Sequence, residues 1–389
     1  MKLIDLDLPL PFPSPKDEDW QFTNIAFLQE QEYIHPQILS GELVEQVIGK
    51  LTPNQLNCLS IENGQLLPNF TLMEGITISS EQNFPLSGHD WDYFAYLNLQ
   101  TAKHTIYISI ESHTEIDVPL EIDYLLTLDQ ALAQPRIVID VGGQSQLILI
   151  ENCTGRSANY LHNLVLEIRL GAGAKLTHLR CQNESLTGVH TATTVIRQST
   201  NSYYHHLNID LGAKLSRFNP TIYIQGEHTQ TILQGLTIIN HNQISDTHSY
   251  IHHGFLHGYS QQLHKCILAD RSHGIFNGRI FVNKLAQQTE AMQLNRTLLL
   301  SPHAKINTKP QLEIIADNVK CKHGATVSQL DPEECFYLQS RGISAPNAKQ
   351  LLTYSFAGEL LTGINNQNWQ TKAKALVQAK LKECWLASA

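Results

Sequence analysis

Hydrophobic and polar residues follow two different periods along this chain, and the change of period divides it. From about Phe94 to Ile315 the pattern is that of strands. Thr105-Ile106-Tyr107-Ile108-Ser109-Ile110-Glu111, Lys175-Leu176-Thr177-His178-Leu179-Arg180 and Thr221-Ile222-Tyr223-Ile224-Gln225 alternate every second residue, so successive side chains point to opposite faces. Leu147-Ile148-Leu149-Ile150 is apolar throughout, which suits a strand buried on both faces. Nothing in this span carries a helical stripe long enough for a substantial helix.

The two ends read differently. Pro11, Pro13 and Pro15 predict an extended lead-in. Trp20-Gln21-Phe22-Thr23-Asn24-Ile25-Ala26-Phe27-Leu28 predicts a turn or two packed on a core. Ser40 to Ile48 predicts a short amphipathic helix, with Leu43, Val47 and Leu51 at helical spacing. Asn63-Gly64 predicts a hairpin. Near the C-terminus, Asp331-Pro332-Glu333-Glu334 is a helix start with an N-cap, a proline at the first position and acids in the first turn. That helix stops near Arg341-Gly342. A second helix starts at Ser344 with Pro346 inside it and runs to about Leu361, and a third spans about Gln367 to Leu386.

The strand region repeats itself weakly. Ile139-Asp140-Val141-Gly142-Gly143, Ile168-Arg169-Leu170-Gly171-Ala172 and Ile209-Asp210-Leu211-Gly212-Ala213 each end in a glycine turn, the first two 29 residues apart and the third 41 further on. Short strands with glycine corners predict a stacked β-solenoid. A sandwich or barrel competes, but the strand region is long for either. Composition supports the solenoid: 31 Gln and 25 Asn accompany only 16% charged residues, against about 25% in ordinary domains. Stacked rungs use amides in polar ladders.

Charge and cysteine usage remove several functions. A net charge of −9 without a basic block argues against nucleic acid. No apolar run approaches the roughly 20 residues that span a bilayer, and Met1 to Asp7 carries acids where a signal peptide is apolar. The expectation is a cytoplasmic protein without membrane contact. Seven cysteines without a C-x-x-C pair make neither a disulfide framework nor a self-contained zinc or cluster site. Any metal chemistry must draw ligands from distant positions or from another chain. No G-x-x-x-x-G-K-[ST] is present, so ATP hydrolysis would belong to a partner, and without G-x-G-x-x-G no flavin is assigned to this chain.

The strongest local feature is Val319-Lys320-Cys321-Lys322-His323-Gly324-Ala325-Thr326. If extended, it places Cys321 and His323 on one face. Thiolate plus imidazole suits a soft transition metal or an iron–sulfur intermediate; spacing alone favours a buried Cys and a satisfied His ending the last strand, since C-x-H is common and lacks metal-specific spacing.

The segment from Ala316-Asp317-Asn318 through Cys321-Lys322-His323-Gly324-Ala325-Thr326 to Phe336-Tyr337-Leu338 and Ser340-Arg341-Gly342-Ile343 resembles the signature of the SufB/SufD family of iron–sulfur cluster assembly proteins, the SufD branch best. Asn295 to Ser301 resembles the family's N-x-x-L-L-L-S stretch, Pro310 to Ile314 its P-x-L-E-I stretch, and Asp270 to Gly278 its D-x-x-S-x-x-x-F-x-G corner. Glu18 to Asn24 and Phe94 to Asn98 extend the likeness upstream. Lys322 and Ser328 depart from the pattern without removing the Cys–His pair.

The resemblance implies a right-handed parallel β-helix core, taken as residues 86–328, between an N-terminal mixed region, 1–85, and a C-terminal helical region, 329–389. It implies a non-catalytic subunit pairing with a SufB-like chain through the β-helix cores and with a SufC-like ABC-type ATPase through the C-terminal helices. A nascent iron–sulfur cluster would form at the SufB–SufD interface, transiently shared, with Cys321 and His323 as this chain's ligands and no cofactor held stably by this chain alone. The SufC contact falls to Phe336, Tyr337, Leu338, Leu351, Leu352, Tyr354 and Phe356, which could instead cap the solenoid's end. A SufB-like subunit and a polysaccharide-cleaving solenoid are the alternatives; the second lacks a paired-carboxylate motif. Seven of the 19 histidines fall between His241 and His273 without a metal motif, and the plainer reading is polar rung faces that use His.

Overall fold

The computed structural model describes residues 1–6, 8–36, 56–68, 70–81, 92–364 and 366–386. The helix expected at Ser40–Ile48 lies outside them. Strands make up 47% of the molecule, arranged as a β-solenoid of about 8 turns. From Gln146–Gly155 onward, consecutive strands alternate between two ten-stranded sheets. In sheet 1, Lys175 lies beside Gln146 on one side and Tyr203 on the other, so a turn takes about 29 residues.

That period explains the glycine turns. Gly142 and Gly171 follow strands of sheet 2, one turn apart, and the Gly171 N–H donates to the Val141 carbonyl at 2.9 Å. Gly212 follows the sheet 1 strand Tyr203–Asp210, with φ +93°, so its spacing belongs to the opposite corner. Other corners place Gln144, Asn159, Asn201, His228, His241, His257 and Asp270 at positive φ, a conformation Asn, Asp and His tolerate best. His228 and His257 stack one turn apart with ring centroids 4.5 Å apart. Corner geometry therefore accounts for part of the histidine excess.

Between the sheets lies an apolar column that includes Ile108, Ile122, Leu149, Leu166, Ile196, Ile222, Ile251 and Ile280. Each sheet also buries part of its outer face. Helix α1, Tyr93–Thr101, packs on sheet 2 through Ala95 against Val165 and Val195. This corrects the expectation that strands begin at Phe94. Tyr93, Phe94, Ala95, Leu97 and Asn98 are all buried, so the segment has no polar face to reveal a helical period. Asp92 caps it, accepting from Ala95 N–H at 2.8 Å.

Helices α2 (Pro332–Ser340), α3 (Ala345–Thr362) and α4 (Gln367–Leu386) follow the last strand. Asp331 accepts from Glu333 N–H at 2.8 Å, the cap expected from its sequence. Leu360 and Leu361 of α3 and Trp369, Val377 and Leu381 of α4 cover Ile150, Leu179, Leu207, Leu236 and Ile267 on the outside of sheet 1. These two helices lie alongside the solenoid and leave its end open.

Antiparallel partners close the first edges: Gln65–Leu66 on Cys58–Glu62, across the Asn63-Gly64 turn, and Ile76–Glu81 on Thr105–Ile110. At the other end, among the described residues, no strand covers the outer edge of Lys305–Ile314 in sheet 2 or Lys320–Ser328 in sheet 1.

The N-terminal segment is held to sheet 2 by Asp246. Its carboxylate accepts from Thr23 Oγ1 at 2.6 Å and from Arg217 Nη1 at 2.7 Å, and Trp20 stacks on that guanidinium at 3.7 Å. Burial alone would raise the Asp246 pKa, but Arg217, His248 and Thr23 outweigh it and lower it from 3.8 to about 2. The contribution is present above pH 4 and is lost as pH falls through 2, worth roughly 2 kcal/mol. Asp246→Asn is expected to flatten the acid limb of a stability–pH curve; an unchanged slope between pH 4 and 2 would refute this assignment.

Candidate functional site

Cys321 and His323 lie on the last strand, Lys320–Ser328, opposite Ala291 and Gln293. Alternation turns both toward the interior column. Cys321 packs against the apolar core and is half-buried, whereas His323 is exposed at the open end. Burial pushes the Cys321 thiol up, opposed by the Ala291 backbone. In the isolated chain the sulfur is therefore a protonated thiol at neutral pH, and a cation or partner must draw its proton off before it can act as a ligand. Among the described residues, neither belongs to a group of three or more ligands close enough to hold an ion.

The seven apolar residues of the C-terminal region divide into three sets. Phe336, Tyr337 and Leu351 are 72%, 58% and 50% exposed. Leu338 and Leu352 are half-buried. Tyr354 and Phe356 face sheet 1. Lys265 Nζ donates to the Phe356 carbonyl at 2.8 Å, and the Lys265 and Arg296 cations sit over the Phe356 ring.

The histidines between 241 and 273 do not converge. His241 and His257 form corners, His253 and His264 are buried, and His248, His252 and His273 are half-buried. None belongs to a potential metal group among the described residues.

Sequence reading missed a charged network inside the solenoid. Arg180 is fully buried and donates to Asn208 Oδ1 at 2.6 Å and to His190 Nε2. Glu151 accepts from Tyr124 Oη at 2.7 Å and contacts His178 Nε2 at 2.6 Å. Nearby, Glu184 meets His162 and His190. The available signal was periodic: His162 with His190, and His178 with His206, are one turn apart.

The solenoid ends in an uncovered rung that carries a thiol and an imidazole, and among the described residues no third ligand lies close enough to complete a metal site there. The family model described as SUF system FeS cluster assembly, SufBD core domain, matches residues 124–356, and the chain belongs to this family. An iron–sulfur cluster assembly SufBD family protein of Synechocystis sp. is 37% identical, over 95% of this chain and 85% of its own length. The chloroplastic protein ABCI7 of Arabidopsis thaliana is 32% identical, over 94% and 82%. The iron–sulfur cluster assembly protein SufD of Escherichia coli is 26% identical, over 94% and 88%. Among the described residues, no helix is long and apolar enough to cross a membrane.

Proposed function

We propose that this chain is the SufD-like subunit of a cytoplasmic SufB–SufC–SufD assembly, in which it pairs with a SufB-like chain and contributes Cys321 and His323 to a shared nascent cluster. The observation that carries this reading is the position of the pair on the strand at the uncovered edge. An unpaired strand edge is a template for a second chain, and a SufB-like rung laid against it would bring further ligands to an incomplete set. Imidazole nitrogen is a common iron ligand. Few ligands from each chain would leave the cluster labile, as handing it on requires. The relatives named SufD support the assignment to that branch.

The test is reconstitution of the co-expressed three-protein complex with iron and sulfide. His323→Ala and Cys321→Ser are expected to reduce the cluster absorbance severalfold while the complex stays assembled. Full cluster yield from both variants would sink the reading.

The exposed set Phe336, Tyr337 and Leu351 is the proposed SufC-like contact, with Leu338 and Leu352 at its border. Tyr354 and Phe356 would support it from below. Alanine at all three exposed positions is expected to reduce co-purification of the ATPase subunit with little change in thermal midpoint, because the side chains are not packed in the core. Retention of full binding would remove this surface from the proposal.

A further inference from the structure

At one corner inside the solenoid, away from the open edge, four side chains with metal-binding atoms meet. Cys153 lies near the end of Gln146–Gly155, Glu184 lies just past Lys175–Asn183, and His162 and His190 are register partners on adjacent strands of sheet 2. All four are buried, and their donor atoms lie within 4.8 Å of one another. Three are closer: Glu184 Oε1 is 2.8 Å from His162 Nδ1 and 3.0 Å from His190 Nδ1, and the two nitrogens are 3.1 Å apart. Ligands about 2.0 Å from a tetrahedral ion are separated by roughly 3.3 Å. The triangle is thus close to one face of a coordination tetrahedron, and Cys153 supplies the fourth donor. Tyr160 Oη donates to the other Glu184 oxygen at 3.2 Å, an outer hydrogen bond of the kind that orients a ligating carboxylate.

We propose that Cys153, His162, Glu184 and His190 form a closed structural site for a divalent transition metal, with Zn(II) the best match to one thiolate, two imidazoles and one carboxylate. The site is separate from the Cys321–His323 pair and joins residues of successive turns, so a bound ion would clamp the stack. Arg180 sets the condition for loading. A guanidinium only donates, so its contact with His190 Nε2 keeps the His190 proton on Nδ1, facing Glu184. When the metal takes both Nδ1 atoms, the Nδ1 protons of His162 and His190, which face the Glu184 carboxylate, pass to their Nε2 atoms, and Arg180 releases the His190 ring while keeping Asn208 Oδ1. Cys153 loses its proton to solvent and binds as thiolate, so one proton is released per ion.

The experiment uses the full chain, refolded with Co(II) as a spectroscopic probe and then freed of unbound metal. One Co(II) per chain is expected, with tetrahedral visible bands and a thiolate-to-cobalt charge-transfer band. Zn(II) should displace it and raise the thermal midpoint by mass action. Cys153→Ser should retain the visible bands and lose the charge-transfer band; His190→Gln should weaken binding by at least about tenfold. Cys153→Ser replaces one small buried side chain by another, which keeps the test open if the histidine variant fails to fold. Failure to retain Co(II) or Zn(II) stoichiometrically, or a spectrum indifferent to Cys153→Ser, would overturn the proposal and leave a network held together by protons.

Discussion

Arg180→Met is expected to destabilise the folded chain by about 3–5 kcal/mol, the usual cost of removing one partner from a buried charged set. The guanidinium lies among Glu151, Glu184, Asp210 and Cys153, stacks on Phe218 with its centre 4.8 Å from the ring, and is a buried cation facing these acids. Burial alone would raise the Glu151 pKa, but His178, Arg180 and Tyr124 hold it below the usual carboxylate range. Glu184 is likewise held low, by His190 and His162 against burial. Without Arg180, Glu151 loses one of the charges that oppose burial and its carboxyl is driven toward protonation, while Arg180 no longer balances the buried Glu184 and Asp210 beside it. The deficit should therefore be larger at pH 7 than at pH 4, since acid neutralises the carboxylates left behind. The measurement is the denaturant midpoint at both pH values; a loss below ~1 kcal/mol, or one independent of pH, would show that Arg180 does not balance these acids.

The second large effect is predicted at Gly226. A methyl placed there would lie 2.1 Å from the Thr200 backbone nitrogen and 2.6 Å from Ser199 C and Thr200 Cα. These atoms belong to the corner one turn below and cannot rotate aside as a side chain tip would. Gly226→Ala must push two rungs apart, at a cost of roughly 3 kcal/mol, the upper part of the range for overpacking. Gly358 is the control: nothing lies within 4 Å of a methyl there, and alanine in the middle of α3 should be neutral or stabilising by up to about 1 kcal/mol. Equal effects at both positions would contradict the close-approach argument.

The contrast between these residues shows what the sequence made legible. Gly142 and Gly171 announced the turn length because they occupy the same corner, and Asp331-Pro332 announced α2 because capping is local. Cys321 and His323 were visible for the same reason: two neighbouring positions on one strand face.

Arg180 was invisible because the usual rule is inverted around it. In Lys175–Asn183 the apolar Leu179 points outward and is covered by the C-terminal helices, while Arg180 points inward. Period-two alternation identifies two faces and cannot say which is inside when both are buried. The Cys153–Glu184 group was hidden by distance along the chain; its members become neighbours only once the rung length is known. The α1 helix was hidden because its half-buried face carries the apolar Tyr96 and Leu99, so no polar stripe contrasts with the buried residues.

The uncovered end has a consequence for self-recognition. Its outermost strands carry Lys305, Lys309 and Pro310 on one sheet and Lys320 and Lys322 on the other. Lys309 already pairs with Glu18 and Lys320 with Glu290, so these edges present bound ion pairs rather than bare charge. Pro310 offers an approaching strand no backbone donor. A second strand laid along Lys305–Ile314 therefore meets a gap in its ladder of hydrogen bonds at that residue, which keeps the long parallel sheet from extending itself in one unbroken run.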